Sequence, residues 1–225
     1  LKVLHPKYRT KEPRELHLLR RFSGERWCPT LKGVTRQEGY VVAIAMEHAG
    51  HSVARGGLTQ SMFKALIGAL ETIHAASRGQ GDDSVGWWVH CDVRPANVTT
   101  KGPALYLLDL GACTWSTEPD HYVGTFHCAS DEILDYLVDD KSGRDVDCPR
   151  SPASDLVSAV RTAMLLSLGV TVHDAVYAVP VEEPGRMKHV WQQVTPPAWQ
   201  TAIQHAKERN YNAVISAVET LLPCT

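Results

Sequence analysis

Apolar residues in this chain fall into a few regular groups, separated by polar, glycine-rich or proline-bearing stretches. Residues 1–4, L-K-V-L, read as the end of a strand. Over 12–22, Leu16, Leu18, Leu19 and Phe22 recur at roughly helical spacing, and Pro13 is tolerated in the first turn of such a helix. Residues 23–29 break it. Residues 40–46, Y-V-V-A-I-A-M, suit a buried strand, and 47–57 is a glycine-rich connection. The strongest periodicity lies at 59–76, where Met62, Leu66, Ala69, Leu70 and Ile73 form one stripe of a predicted helix. An exposed loop follows at 77–86. Short strands are predicted at 87–89 and 105–108, with Lys101, Gly102 and Pro103 as a turn between them. Residues 112–131 show little periodicity and read as an extended loop, and 141–152 as a polar surface connection. A second helix, apolar on most sides, is predicted over 155–168 through Leu156, Val157, Val160, Met164, Leu165 and Leu168. The C-terminal third is predicted helical over roughly 197–207 and 211–222, separated by Glu208, Arg209 and Asn210. No internal repeat or low-complexity tract interrupts this order.

A strand–helix–strand piece, a glycine-rich joint and a mostly helical body predict an α+β fold with two unequal lobes. The expected division is 1–48 as a partial small lobe and 49–225 as a large helical lobe.

Composition adds limits. Apolar residues are 44% of the 225, enough for a sizeable core, and the formal net charge of −2 gives no general attraction to nucleic acid or an anionic membrane. No apolar run approaches the roughly 20 residues that span a bilayer. The expectation is therefore neither a nucleic-acid nor a membrane partner. The chain begins at Leu1 without a methionine, so it is expected to be a processed or excised piece whose missing segment carried any targeting signal. Six cysteines (Cys28, Cys91, Cys113, Cys128, Cys148 and Cys224) form no C-x-x-C pair and are expected as reduced thiols rather than zinc ligands or a disulfide framework. His48, His51, His121 and His127 lack metal-ligand spacing, and the tryptophans read as packing residues.

The chemistry concentrates in two stretches, V-H-C-D-V-R-P-A-N-V at 89–98 and L-L-D-L-G at 107–111. They place two carboxylates, Asp92 and Asp109, and one amide, Asn97, in loops after short apolar runs. That set can hold a divalent metal on a triphosphate and orient a hydroxyl for attack. The spacing H-x-D-x-x-x-x-N followed by D-x-G resembles the catalytic and metal loops of protein kinases. Other segments follow in the family's order: Lys2 in L-K-V-L, Glu15 in R-E-L-H-L-L, Met46-Glu47-His48-Ala49, a G-T…E segment over 124–132, and S-D-L-V-S at 154–158. The resemblance spans nearly the whole chain. The wording D-V-R-P-A-N, L-L-D-L-G and A-S-D-E-I-L is similar to divergent kinases of fungi and oomycetes, including kinase domains of Crinkler-type secreted effectors.

The resemblance implies a protein kinase-like bilobal fold with a truncated small β-lobe, ATP and Mg²⁺ as cofactors, and transfer of the γ-phosphoryl group to a protein serine or threonine hydroxyl. It implies Asp92 as the catalytic base, Arg94 as the cation that offsets transition-state charge, and Thr125 as a support of the catalytic loop. Asn97 and Asp109 would hold the metal. Lys2 would contact the phosphates, paired with Glu15, while the backbone of Met46, Glu47 and Ala49 would take adenine. His90 would pack the two loops together, and Glu132 would anchor the activation loop. Asp155 would hold the catalytic-loop backbone or cap its helix.

Departures from the family pattern are also legible. Arg94 replaces a lysine, with different reach and planarity. Cys91 replaces the arginine that pairs with a phosphorylated activation loop, Ser130 and Asp131 replace alanine and proline, and Val157 and Val160 replace tryptophan and glycine. Thr114, Ser116, Thr117 and Tyr122 read as polar loop residues. No G-x-G-x-x-G occurs, so the glycine loop either precedes Leu1 or is dispensed with. The implied site of action is inside the cell. Two rivals stay open: a pseudokinase acting as a nucleotide-binding scaffold for a docking partner, and a small-molecule phosphotransferase. The G-T…E segment, which serves peptide binding in the family, weighs against the second.

Overall fold

A computed structural model describes residues 1–6, 9–76, 86–118, 121–141 and 147–224. The loop expected at 77–86 therefore lies outside the described residues except for its last position, as do residues 142–146 of the polar connection.

The N-terminal part is a three-stranded antiparallel sheet and one helix, which packs against the 3-10 turn at Leu110–Ala112. Strand β1 (Lys2–Val3) pairs with β3 (Tyr40–Met46), which pairs in turn with β2 (Leu31–Gln37), and α1 (Arg14–Arg21) lies between β1 and β2 in the chain. The β2–β3 hairpin turns through Glu38 and Gly39, both at positive φ (52° and 84°), which matches the strand twist. Strand β2 was not legible because L-K-G-V-T-R-Q lies at the sheet edge and none of its residues is fully buried. Helix α1 buries Leu16, Leu18 and Leu19, as its spacing predicts, and buries Glu15 with them.

Next come β4 (His51–Ser52) and α2 (Gln60–Ala75), capped by the Thr59 hydroxyl, which accepts from the Met62 N–H at 3.3 Å. The predicted stripe needs one correction. Phe63 and Ile67 belong to the buried face, while Met62 sits at its margin. Phe63, Leu66, Ile67, Leu70 and Ile73 are all fully buried, each contributing about 1.5–3 kcal/mol of apolar transfer.

Strands β5 (Trp88–Val89), β6 (Val98–Lys101), β7 (Ala104–Leu107) and β8 (Thr114–Trp115) frame the loops of the central motif. One small sheet has the order β4-β6-β7, and β5 pairs with β8. The predicted strand at 105–108 is β7, and its partner β6 (V-T-T-K) carried too little alternation to be read.

The helical body comprises α3 (Asp131–Lys141), α4 (Pro152–Ser167), α5 (Gly169–Tyr177), α6 (Pro184–Val194), α7 (Pro197–Lys207) and α8 (Tyr211–Glu219). Fourteen of the sixteen residues of α4 are buried, which makes it the central helix, packed by α2, α7 and α8. Helix α7 has the predicted bounds, and the predicted 211–222 segment ends earlier, at Glu219. Asn210 caps α8 through its side-chain oxygen. The three helices α3, α5 and α6 went unread. Helix α5, G-V-T-V-H-D-A-V-Y, is valine-rich and buries only Val176 fully, while α6 turns just Pro184, Met187 and Trp191 inward.

All six cysteines are free thiols, four of them buried. Among the described residues no helix is long and apolar enough to cross a membrane.

Candidate active site

Strand β1 projects Lys2 toward the Glu15 of α1 and toward Asp109, just past β7. Lys2 Nζ lies 2.8 Å from Glu15 Oε2 and 2.7 Å from Asp109 Oδ1, so three residues distant in sequence meet at one ammonium. Their ionisation differs because their exposure differs. Burial lowers the Lys2 ammonium, but the Glu15 charge and hydrogen bonds to Asp109 and Glu15 outweigh it and hold it above its ordinary value. Burial dominates at Glu15, whose side chain is only 5% exposed, and raises its carboxyl despite the Lys2 charge. Asp109 is 39% exposed; burial raises it less than Lys2, His90 and the Gly111 N–H lower it, so it stays ionised below the usual range. Asp109 itself sits in the left-handed region (φ 62°, ψ 59°), an orientation that β7 and a following 3-10 turn impose. Gly111 makes room for the trio, since a Cβ there would lie 3.1 Å from Asp109 Oδ1 and 3.5 Å from Lys2 Nζ.

Asp92 is held by donors on each side of its carboxylate. Oδ1 accepts the Thr125 N–H at 2.7 Å, and Oδ2 accepts from Asn97 Nδ2 at 2.8 Å and Arg94 Nε at 3.1 Å. Asn97 Nδ2 also donates to the Asp92 carbonyl at 2.8 Å, which directs the amide oxygen, Oδ1, the other way. Thr125 thus touches the 90–97 loop through its backbone. Its approach depends on Gly124, where a Cβ would overlap the Cys91 carbonyl oxygen and come within 2.5 Å of the Tyr122 hydroxyl. That hydroxyl donates to the Cys91 carbonyl at 2.8 Å.

The loop backbone is fixed from below. Asp155 accepts the His90 and Cys91 N–H groups at 2.6 and 2.9 Å and meets His74 Nε2 at 3.0 Å. The cap of α4 is Ser151, which accepts from the Ser154 N–H, so Asp155 is not the helix cap. His90 joins the two loops through the Leu108 carbonyl at 3.0 Å. Cys91 is strained (φ 66°) and buried, and burial pushes its thiol well above the ordinary range.

Two features differ from the sequence reading. The anchor of the loop end is Asp131, not Glu132. Asp131 lies 2.5 Å from Arg161 of α4 and 3.3 Å from Lys207, because α3 begins at Asp131 and turns Glu132 to solvent. Arg161 also donates to the Ala129 carbonyl and stacks over Trp191 at 4.9 Å. The second is a cluster that the sequence did not suggest. Arg14 of α1 lies 2.9 Å from Glu118 Oε2 and donates to the Cys113 carbonyl at 3.0 Å. The Thr114 hydroxyl donates to the same Glu118 oxygen at 3.0 Å, and buried Arg150 donates to the Glu118 carbonyl and to Thr114 Oγ1. Arg14 and Arg150 both act electrostatically on Cys91, bringing positive charge where that residue supplies none. No short motif marks this cluster; its members are 14, 114, 118 and 150.

Burial raises the Asp131 carboxyl, but the Arg161 and Lys207 charges and hydrogen bonds lower it further, leaving it below its ordinary value. A depressed folded-state value means stability that is present above the unfolded value of about 3.9 and lost as pH falls through the folded one. Asp131→Asn is therefore expected to be less stable than the parent at pH 7, with the difference closing as pH falls from the unfolded value of about 3.9 through the lower folded one. Urea melts at pH 7 and at the acid end of that range measure it, and an equal gap at both would remove Asp131 as the anchor.

Lys2, Glu15, Met46, Asn97, Leu107 and Asp109 help line one cavity of about 230 Å³. Lys2 and Met46 also line an adjacent cavity of about 350 Å³ with Glu47, His48, Ala49 and Leu108. The structure thus brings Lys2, Glu15, Asn97 and Asp109 together beside the 46–49 strand exit. Asp92, Arg94 and Thr125 form a second group joined to the first through Asn97. Along the exit, the Glu47 N–H donates to the Thr30 carbonyl at 2.9 Å and the Ala49 carbonyl accepts from Thr99 Oγ1 at 2.8 Å.

Small antiparallel sheets over a mostly helical C-terminal part, with these loops between them, constitute a protein kinase-like fold. A solved structure of vaccinia related kinase 3 is similar with a TM-score of 0.61 over 92% of this chain and 74% of that chain, at 13% identity. At that identity the likeness shows the fold. No protein-family model matches the chain, and no curated protein does.

Proposed function

We propose that this chain is a protein kinase domain that transfers the γ-phosphoryl group of Mg²⁺·ATP to a serine or threonine hydroxyl of a protein. The observation that carries this reading is the meeting of Lys2, Glu15 and Asp109 at one ammonium, next to an Asp92 aligned by Asn97, Arg94 and Thr125. Three titratable groups with shifted ionisation lining one cavity are an arrangement typical of functional sites.

Adenine would be read by the Glu47 carbonyl and the Ala49 N–H, because the Glu47 N–H and Ala49 carbonyl are already paired. The donor set fits Mg²⁺. Asp109 offers an anionic oxygen and Asn97 a neutral one, and no cluster of three or more His, Cys, Asp or Glu among the described residues makes a site without substrate. Hard oxygen donors few in number, completed by phosphate and water, suit this ion. When bound it would neutralise charge on the phosphates. Lys2 would orient those phosphates, Asp92 would accept the acceptor hydroxyl's proton, and Arg94 would offset charge as the phosphoryl group moves. The D-V-R-P-A-N and A-S-D-E-I-L wording supports placing the domain among the divergent kinases of fungi and oomycetes.

The scaffold reading has one observation in its favour. Asp92 is 8% exposed and already accepts from three donors, leaving little capacity for a substrate hydroxyl. Radiolabelled Mg²⁺·ATP with a generic basic protein, run beside a melting curve with and without nucleotide, separates the two. Transfer that vanishes in Asp109→Asn supports the enzyme. A nucleotide-dependent rise in melting temperature without transfer supports the scaffold, and neither signal refutes both.

A further inference from the structure

A ladder of rings leads outward from the turn that follows Thr125. Phe126 and His127 have ring centroids 4.2 Å apart, His127 stacks on Tyr177 of α5 at 4.7 Å, and Tyr177 lies 4.4 Å from His173. Arg55 closes the far end, 2.8 Å from His173 Nδ1. A guanidinium can only donate, so that nitrogen accepts.

The ladder begins one residue from the N–H that binds Asp92 and ends at an exposed cation. Tyr177, in ring contact with both His127 and His173, remains 42% exposed. Arg94 acts electrostatically on both His127 and Tyr177, and Arg55 on Tyr177. Burial, with the Arg94 charge, holds His127 below the usual imidazole value. Asp174, 3.2 Å from His173 Nδ1, is the opposing carboxylate on the outer side, and Asp92 on the inner. The segment carrying Arg55 is fixed, since the Gly56 N–H donates to the Leu166 carbonyl at 2.6 Å.

We propose that this ladder docks the acceptor segment and selects a peptide with an acidic side chain near the acceptor serine or threonine, paired with Arg55. Tyr177 supplies an exposed aromatic rim against which the peptide lies, and Arg55 the charge that sets its register. The proposal rests on the protein kinase reading and names the substrate class for it.

Two serine peptides that differ only in flanking Glu or Lys test it on the full chain, with Arg55→Gln and Arg55→Glu. Peptide affinity is measured by fluorescence anisotropy in an Asp92→Asn background, which needs no chemistry, and KM and kcat are measured with Asp92 intact. The acidic peptide should bind the parent more tightly, Arg55→Gln should weaken it about five-fold, and Arg55→Glu should reverse the preference, as expected for an exposed ion pair. The preference should shrink with salt. The Arg55 effect should fall on KM, with kcat and the KM for ATP unchanged. Equal affinity for both peptides, or no change in Arg55→Gln, would overturn the docking proposal even if transfer occurs. Charge-selective binding without transfer in the parent would instead refute the kinase reading and leave the docking surface standing.

Discussion

Asp92→Asn should reduce phosphoryl transfer by about 10³-fold while the rise in melting temperature with Mg²⁺·ATP persists. The chemical part of that loss follows from removing the group proposed to take the hydroxyl proton, a role worth about 10²–10⁴-fold. A structural part accompanies it. All three partners of Asp92 (the Thr125 N–H, Asn97 Nδ2 and Arg94 Nε) are donors. An amide presents one oxygen and one NH₂, so the variant sets a donor against a donor and loses about 1–3 kcal/mol of stability. The nucleotide-dependent melting shift separates the parts, because Lys2, Glu15 and Asp109 are untouched. A variant that keeps more than about a tenth of the parental rate would show that Asp92 is no base.

The largest effect on folding is expected at Asp155. Asp155→Ala strands the His90 and Cys91 N–H groups, both in buried residues, and removes the partner of His74 Nε2. Breaking one side of a buried, hydrogen-bonded charge costs about 3–5 kcal/mol. For a chain of this size that lowers the melting temperature by roughly 6–20 °C. Part of the cost is local strain, since Cys91 holds a positive φ that its N–H bond to Asp155 helps to enforce. Thermal unfolding of Asp155→Ala beside Ser151→Ala measures the difference. The second variant removes a cap alone and should lose only about 1 kcal/mol. Equal losses would mean that Asp155 is an ordinary helix residue.

How far the sequence discloses this molecule depends on whether its signals are local. The stripe of α2 and the apolar run of β3 announce themselves because burial recurs at a fixed period. Helix α6 does not, since only Met187 and Trp191 of its large side chains are fully buried, and Val190 and Val194 are interleaved with polar residues. The 90–97 loop was legible because several of its functional residues lie a few positions apart, as Asp92 and Asn97 do. Lys2 and Glu15 stand 13 positions apart, yet the sheet brings them to 2.8 Å. The Glu132 error is one helical step: a shift from Asp131 to Glu132 rotates the side chain by about 100°, from Arg161 to solvent. The Arg14–Glu118–Arg150 cluster joins three remote segments and has no linear trace at all.

That cluster has a consequence for control. Glu118 carries, as part of its own covalent structure, the negative charge that ties α1 to the segment after β8. On the proposed reading, the charge that joins α1 to this segment would be present without any phosphorylation.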